Sequence, residues 1–293
     1  MTVPVADPAP ARMSLNRALV PALLLGPTLL WIFFFFLWPL GLMVWQSFIV
    51  KDAFSLDHYA SLFTTPIYAR ALWTTFEISI ICTVGSLILG YPVAYYLVVG
   101  DARIRAVVMI LVIIPYWLDY IVRSFSWLIL FGRRGLVNRF LIDIGLITEP
   151  LQLLYNLGSV LVGMIQIMLP LMILTLFGAM LRINRQLVAA AEIHGASPWR
   201  AFWSVFFPLS LPGVYAAFLL VFIISLGFYI TPALLGSPKE TMISQIIMLV
   251  ATELFDWPLA SAAGVLLLAV TIAVVIAYNR AFSIERLWGG KEA

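Results

Sequence analysis

The residues of this chain that could do chemistry are three charged side chains inside long apolar runs, Glu77, Asp119 and Arg123. A charged group within a membrane span is costly and usually faces a protein interior or water. Aromatic residues flank Asp119, namely Tyr116, Trp117 and Tyr120. Because aromatic faces attract organic cations, this grouping predicts a cavity that binds such a cation, and a polyamine fits that description. Tyr229 is a further candidate for the same pathway.

The two carboxylates are expected at similar depth in the membrane. Glu77 lies six residues into a span that runs inward, about 9 Å below the outer boundary at about 1.5 Å per residue. Asp119 lies about 21 Å along a span that starts near Arg105 and runs outward, which leaves about 9 Å of a core of about 30 Å. In the alternative interpretation Asp119 pairs with Arg123, four residues along one helix.

Tyr116, Trp117 and Tyr229 also have an alternative interpretation, as packing or membrane-interface aromatics. Enzymatic chemistry is disfavoured by what the sequence lacks. The chain has three lysines, Lys51, Lys239 and Lys291, and none follows a glycine-rich phosphate loop. Two distant histidines and one cysteine offer no zinc cluster, and no nucleophile motif is present. We therefore expect no catalytic residue, metal site or cofactor on this chain.

The elements that must position these residues are membrane-spanning helices. Of 293 residues, 63% are hydrophobic and 11% are charged, a composition typical of a polytopic, all-α membrane protein. Small residues four apart, Ser86 with Gly90 and Ala260 with Gly264, predict close approach between helices. The apolar runs predict six transmembrane helices: Val20 to Phe48, Ala71 to Val99, Val107 to Phe131, Leu157 to Met180, Val214 to Leu235 and Pro258 to Tyr278.

The distribution of basic residues favours cytoplasmic termini. With that orientation ten arginines and lysines lie on the cytoplasmic side and six outside, as the positive-inside rule favours. The cluster of Arg133, Arg134 and Arg139 on the outside weakens this bias. The predicted organisation is a cytoplasmic tail over 1–19, a transmembrane domain over 20–281 with a cytoplasmic loop over 182–212, and a cytoplasmic tail over 282–293.

The cytoplasmic loop has its own predicted structure. Residues Gln186 to His194 form a short helix, Gly195 ends it, and Ser197 with Pro198 caps and starts the next. Two short helices around a glycine break make a rigid projection, which indicates a docking element rather than a simple connection.

The loop resembles the EAA loop of binding-protein-dependent ABC importer permeases of the type I fold. The resemblance is carried by Ala190-Ala191, by Gly195-Ala196-Ser197 and by Pro208-Leu209 through Pro212-Gly213. It implies that the loop docks into a cleft of a separate ATPase, which carries the ATP and Mg²⁺. The residues implied in docking are Ala190, Ala191, Glu192, Gly195, Ala196, Ser197, Pro198, Trp199 and Arg200.

The resemblance also implies partners and a location. The expected partners are a second, similar permease subunit, a cytoplasmic ATPase dimer and a periplasmic solute-binding protein, and the expected location is a bacterial inner membrane. The chain departs from the family pattern at Ala189, where the family usually has a glutamate that pairs with the ATPase. Glu192, three residues on, is a candidate substitute, with a purely solubilising role as the alternative.

Within the family the chain looks similar to the spermidine/putrescine permeases. That similarity is carried by stretches at 115–123, 229–236 and 256–259, and it implies a polyamine solute. An importer for another small organic solute, amino-acid-like or opine-like, is the main alternative. An autonomous ion-coupled transporter, with Glu77 and Asp119 as coupling sites, is a further one.

Overall fold

The computed structural model describes residues 25–50 and 53–281. In chain order the helices are α1 (Leu25–Gln46), α2 (Asp57–Thr64), α3 (Pro66–Val99), α4 (Ala102–Trp117), α5 (Tyr120–Phe131), α6 (Leu136–Asp143), α7 (Leu157–Met180), α8 (Arg185–Ile193), α9 (Pro198–Leu226), α10 (Ile230–Leu235), α11 (Ile243–Thr252) and α12 (Trp257–Ala281). A hairpin of β1 (Ile49–Val50) and β2 (Ala53–Phe54) follows α1, with Ile49 opposite Phe54. A 3₁₀ turn, Pro238–Glu240, precedes α11.

Membrane-length apolar helices dominate this architecture. Over the described ranges, α1, α3, α7, α9 and α12 are each long and apolar enough to cross a membrane, and a sixth span results if the bent α4–α6 segment is one crossing. The predicted all-α, multi-span fold is therefore confirmed, and α7 has the predicted bounds. The predicted tails, 1–19 and 282–293, and the start of the first span lie outside the described residues.

The third span is not the continuous helix that the apolar run predicted. α4 ends at Trp117, Leu118 is extended, and the following segment Tyr120–Asp143, which contains α5 and α6, lies at 98° to α4. Pro115, which cannot donate a backbone hydrogen bond, lies in the last turn of α4. Asp119 then starts α5, because its Oδ1 accepts a hydrogen bond from the Ile121 N–H at 2.7 Å.

The fifth span is also interrupted. α9 ends at Leu226, and α10 begins at Ile230, so the predicted helix from Val214 to Leu235 is broken at residues 227–229. Hydrophobicity reports which residues avoid water, but the direction of the backbone depends on local hydrogen bonds that a proline or a helix-capping carboxylate changes.

The centre of the bundle is the packing of α3 against α7, with α9 against both. Gly90 lies where a Cβ would come 3.1 Å from the Met172 Cγ, and Ser86 is fully buried. In a second cluster α2, α11 and α12 pack beside the start of α3, and a Cβ at Gly264 would collide with the end of Met43 in α1. The close helix approaches predicted from the small residues are therefore confirmed.

Two π-helical turns, Phe33–Leu37 within α1 and Phe202–Phe206 within α9, widen their helices. A proline follows each turn at the same offset, Pro39 and Pro208. Proline has no N–H for the carbonyl four residues earlier, and its ring crowds that carbonyl. The carbonyl in question lies within the π-turn in both helices, which explains why the helix widens there.

Candidate functional site

The projection predicted in the 182–212 loop is formed by residues 185–200, which we call the docking knob after its predicted role. Its first half is α8, which begins where the Asn184 Oδ1 accepts a hydrogen bond from the Gln186 N–H at 2.9 Å. The helix stops at Gly195, whose φ of +89° is in the left-handed region. There the Gly195 N–H donates to the Glu192 carbonyl at 2.9 Å and the Ala196 N–H to the Ala191 carbonyl at 3.0 Å.

The second half of the knob is the start of α9. The Ser197 Oγ accepts a hydrogen bond from the Arg200 N–H at 3.4 Å, and the Ser197 carbonyl accepts one from Ala201 at 2.8 Å. Pro198 occupies the first helical turn, where its missing N–H costs nothing. The helix–glycine–helix geometry predicted from the sequence is therefore present.

The outer surface of the knob is partly apolar. Ile193 is 83% exposed and Trp199 is 71% exposed, on either side of the Gly195 break, and Leu187 is half exposed. Large apolar side chains are therefore exposed on both halves of the projection. Glu192 is exposed beside them. The sequence analysis included Trp199 and Glu192 among the docking residues but not Ile193 or Leu187. Both could have been identified as large apolar residues in an otherwise polar loop.

The remaining predicted docking residues differ in exposure. Those on the open surface are Ala190, Gly195, Ser197, Pro198 and Arg200, whereas Ala191 and Ala196 are partly buried. The knob is attached to the bundle by its inner side, where Val188 and the preceding Ile183 pack against the main hydrophobic core. This attachment makes the knob continuous with the membrane bundle.

The second group of predicted residues surrounds the break between α4 and α5. Asp119 is exposed there, and so are its aromatic neighbours Tyr116, Trp117 and Tyr120. Trp117 is 83% exposed. The carboxylate of Asp119 caps α5 through one oxygen, which leaves the other oxygen available to a cation.

Arg123 is separate from this exposed group. It is 9% exposed, and its Nη1 donates to the Ile167 carbonyl on α7 at 3.5 Å. Its Nε has no hydrogen-bond partner. Asp119 acts on the guanidinium electrostatically, but no ion pair joins the two groups in the residues described. The direct Asp119–Arg123 ion pair of the alternative interpretation is therefore not formed, because the guanidinium is directed to the Ile167 carbonyl, and only the electrostatic attraction between the two groups remains.

The two broken spans meet beside this group. The Ser124 and Thr231 hydroxyls are hydrogen bonded at 2.8 Å, which joins α5 to α10. The Tyr120 and Phe228 rings lie 6.3 Å apart across the two breaks. Tyr229, which is exposed, therefore belongs to the segment that adjoins the Asp119 group. Backbone breaks at membrane depth are tolerated where protein or a water-filled cavity surrounds them.

Glu77 lies on the exposed surface of α3. No hydrogen bond or ion pair joins it to Asp119 within the described ranges. The similar depth predicted for the two carboxylates stays a prediction, since α4 is helical as far as Trp117 and the bend begins only two residues before Asp119. An exposed carboxylate on a membrane-length helix still requires water or a polar partner. The described residues contain no group of three side chains suited to hold a metal ion.

Comparisons with known proteins agree with this architecture. The family of "binding-protein-dependent transport system inner membrane component" proteins matches residues 86–283. The spermidine/putrescine transport system permease protein PotB of Haemophilus influenzae is 30% identical over 86% of this chain and 90% of its own length. The sn-glycerol-3-phosphate transport system permease protein UgpA of Escherichia coli O6:K15:H31 is 29% identical over 89% of this chain and 93% of its own length.

A solved structure supports the same fold. A chain from the crystal structure of a bacterial alginate ABC transporter in complex with an alginate pentasaccharide-bound periplasmic protein superimposes with a TM-score of 0.75. The identity is 21%, and the match covers 91% of this chain and 95% of that one. From these findings, the chain belongs to the family of inner membrane components of binding-protein-dependent transport systems, as a multi-pass permease subunit of an ABC importer.

Proposed function

We propose that this permease subunit imports a polyamine such as spermidine or putrescine with the energy of ATP hydrolysed by a separate subunit. Its partners in this proposal are a second, similar permease chain, a cytoplasmic ATPase dimer carrying ATP and Mg²⁺, and a periplasmic solute-binding protein. The termini and the docking knob face the cytoplasm. No chemical step occurs on this chain, and family membership leaves no role for the autonomous ion-coupled mechanism.

The observation that carries the ATPase partnership is the apolar surface of the docking knob. Ile193 and Trp199 would remain in water unless a partner covered them, and fully burying one such side chain contributes about 1.5–3 kcal/mol. A short helix that inserts into a hydrophobic groove is a recurrent mode of recognition. Glu192 is exposed at the edge of this surface. There it can pair with a basic residue of the ATPase, a contact that the family makes through a glutamate at the position of Ala189.

The docking proposal is tested by co-expressing the chain with the proteins of its neighbouring genes and measuring ATPase affinity in lipid. Ile193→Asp and Trp199→Asp are expected to weaken ATPase binding at least tenfold, because each places a charge in an apolar contact. Leu146→Asp is the matched control, since Leu146 is 71% exposed but lies in the loop between α6 and α7. Equal affinity for all three variants would contradict docking at the knob.

Glu192→Ala is expected to have a smaller effect. Exposed ion pairs contribute about 0.2–1 kcal/mol, so the affinity should fall by no more than about fivefold. An unchanged affinity would contradict the hypothesis that Glu192 substitutes for the family glutamate, and would leave Glu192 with a solubilising role. The apolar contact proposed for Ile193 and Trp199 would not be affected.

The polyamine assignment is supported by PotB and by the exposed carboxylate and aromatic groups. Asp119 and Glu77 can each accept from an ammonium group, and the rings around Asp119 offer cation–π contacts. Arg123 is buried and donates to the Ile167 carbonyl on α7, so within the described residues it forms no ion pair that would occupy the Asp119 carboxylate. Another small organic solute is the alternative, because UgpA is named for sn-glycerol-3-phosphate and is related at almost the same identity.

The decisive measurement is ATPase activity of the lipid-reconstituted complex with binding protein loaded in turn with spermidine, putrescine and sn-glycerol-3-phosphate. Stimulation by the polyamine-loaded carriers is expected. Stimulation by another solute alone would refute the polyamine assignment and leave the importer intact. If no ATPase co-purified with the chain, the docking proposal would be refuted.

A further inference from the structure

A cluster of aromatic rings joins the docking knob to α3, and Phe202 is at its centre. Phe202 is the first residue of the π-turn in α9. Its ring centroid lies 5.0 Å from that of Tyr95, with the planes at 73°, and 6.3 Å from that of Tyr91. The other rings within 6.3 Å of it belong to α9 itself: Trp199, Trp203, Phe206 and Phe207.

The rings form a continuous path from the exposed knob to the membrane bundle. Trp199 is largely exposed and stacks on Phe202, at an interplanar angle of 23°. Phe202 in turn contacts Tyr95, which also lies 4.9 Å from Phe206. Aromatic side chains have few rotatable bonds and defined edge and face contacts, so a displaced ring displaces its neighbours.

A hydrogen bond fixes the inner end of this path. The Tyr91 and Ser210 hydroxyls lie 2.9 Å apart, which ties α3 to α9 one turn beyond the π-turn. Ser210 is buried, and its Oγ also contacts the Phe207 carbonyl at 2.7 Å. Between this anchor and the knob lies the π-turn, where the regular helical hydrogen bonding changes and a helix bends most readily.

We propose that Phe202 is a positioning residue through which movement of the docking knob reaches α3. Phe202 is distinct from the proposed partner-facing side chains, Ile193 and Trp199: it stacks on Trp199 and packs its ring against Tyr95 and Tyr91 on α3. Its role in transmission is therefore separate from a direct contact with the ATPase. The inference deepens the proposed function and rests on it: if no ATPase docks at the knob, there is no movement to transmit.

The separation of binding from coupling provides the test. Wild type and Phe202→Leu are assembled in lipid with the co-expressed partners, and two quantities are measured. The first is ATPase affinity. The second is the stimulation of ATP hydrolysis by the binding protein as it is isolated from cells with its solute. Phe202→Leu is expected to keep affinity within twofold of wild type and to lose at least fivefold in stimulation.

Two further variants are controls, and two more test the same path. Phe218→Leu makes the same change in the same helix, at a ring that stacks on Phe222 and is outside the cluster, and it should behave as wild type. Tyr95→Phe keeps the ring and should also behave as wild type, whereas Tyr95→Leu should reproduce Phe202→Leu. The double variant of Phe202→Leu with Tyr95→Leu should lose no more than either single variant, because both interrupt one path.

Each outcome decides a separate question. Normal stimulation in Phe202→Leu and Tyr95→Leu overturns the inference and leaves docking at the knob intact. Loss of ATPase affinity together with stimulation also overturns it, since the cluster would then support the shape of the knob and not transmission. If Phe202→Leu fails to assemble, Tyr95→Leu decides by the same two measurements. Absence of ATPase binding in the wild type refutes the proposed function itself.

Discussion

At the scale of single residues, the structure separates charged groups that lie close together in the sequence. Asp119 is exposed and caps α5, whereas Arg123, one turn later, is buried against α7. Their spacing fits an ion pair, but the Asp119 carboxylate is at the N-cap of α5 and accepts a hydrogen bond from the Ile121 backbone N–H. The free surface of Asp119 and the rings around it therefore remain available to a cation.

The contribution of charge at Asp119 can be measured without losing the helix cap. Asn is as good an N-cap as Asp, so Asp119→Asn removes the charge and keeps the start of α5. A charge-assisted hydrogen bond contributes about 1.5–3 kcal/mol, and we therefore expect the half-saturating polyamine concentration for uptake to rise at least about tenfold. Glu77→Gln is expected to act in the same direction.

Asp143→Asn, at the exposed end of α6, is the control and should leave uptake unchanged. If Asp119→Asn and Glu77→Gln both retained wild-type uptake, the two carboxylates would have no part in the solute pathway. A reduced rate with an unchanged half-saturating concentration would likewise contradict a role in binding.

At the scale of elements, the docking knob depends on one backbone conformation. Gly195 has a φ of +89°, and no atom lies within 4 Å of the position a Cβ would take. A substitution there is therefore opposed by backbone strain and not by a steric clash. The two halves of the knob are aligned by this residue, since α8 ends and the cap of α9 begins within two residues of it.

Gly195→Ala should consequently weaken ATPase binding. A left-handed conformation costs a residue with a Cβ about 1–2 kcal/mol, so we expect the affinity to fall about fivefold or more. Asn tolerates this conformation better than Ala, and Gly195→Asn should be intermediate. Both effects are read from ATPase titrations of the reconstituted complex.

Gly178→Ala is the matched control for that experiment. Its Cβ would also meet no atom within 4 Å, but Gly178 lies in the regular helix α7. Alanine is favoured over glycine in a helix, so this variant should bind the ATPase as wild type does. Equal affinities for Gly195→Ala and Gly178→Ala would show that the conformation at Gly195 does not determine docking.

At the scale of the whole molecule, the proposed function requires the knob and the loop between α6 and α7 to lie on opposite sides of the membrane. The side of the membrane on which each loop lies follows from the number of membrane-spanning segments that precede it. An error of one segment would place the loop on the opposite side. The sole cysteine, Cys82, is fully buried in α3. An introduced cysteine can therefore be labelled with a thiol reagent without labelling of Cys82.

Orientation is tested with Ser197→Cys and Thr148→Cys, both at exposed positions, and a membrane-impermeant maleimide. The chain is produced without the ATPase, so that nothing covers the knob. In intact spheroplasts Thr148→Cys should label and Ser197→Cys should not, while in inverted vesicles the pattern should reverse. The wild type should remain unlabelled in both preparations. Labelling of Ser197→Cys from the outside would place the knob beyond the reach of a cytoplasmic ATPase.

The sequence by itself determined the all-helical class, the position of most spans and the local geometry of the knob. The length of an apolar run predicts a span, Gly195 predicts a helix end, and Ser197-Pro198 predicts a helix start. Each of these signals is local, so it can be interpreted without knowledge of the rest of the chain. α7 has the predicted bounds for this reason.

Tertiary structure alone decided where the side chains of Arg123 and Phe202 lie, whereas the cap at Asp119 is a local contact with Ile121. Burial of Arg123 depends on α7, and the ring contacts of Phe202 depend on Tyr91 and Tyr95, more than a hundred residues earlier in α3. Such contacts join distant segments, and local periodicity carries no information about which distant segments meet.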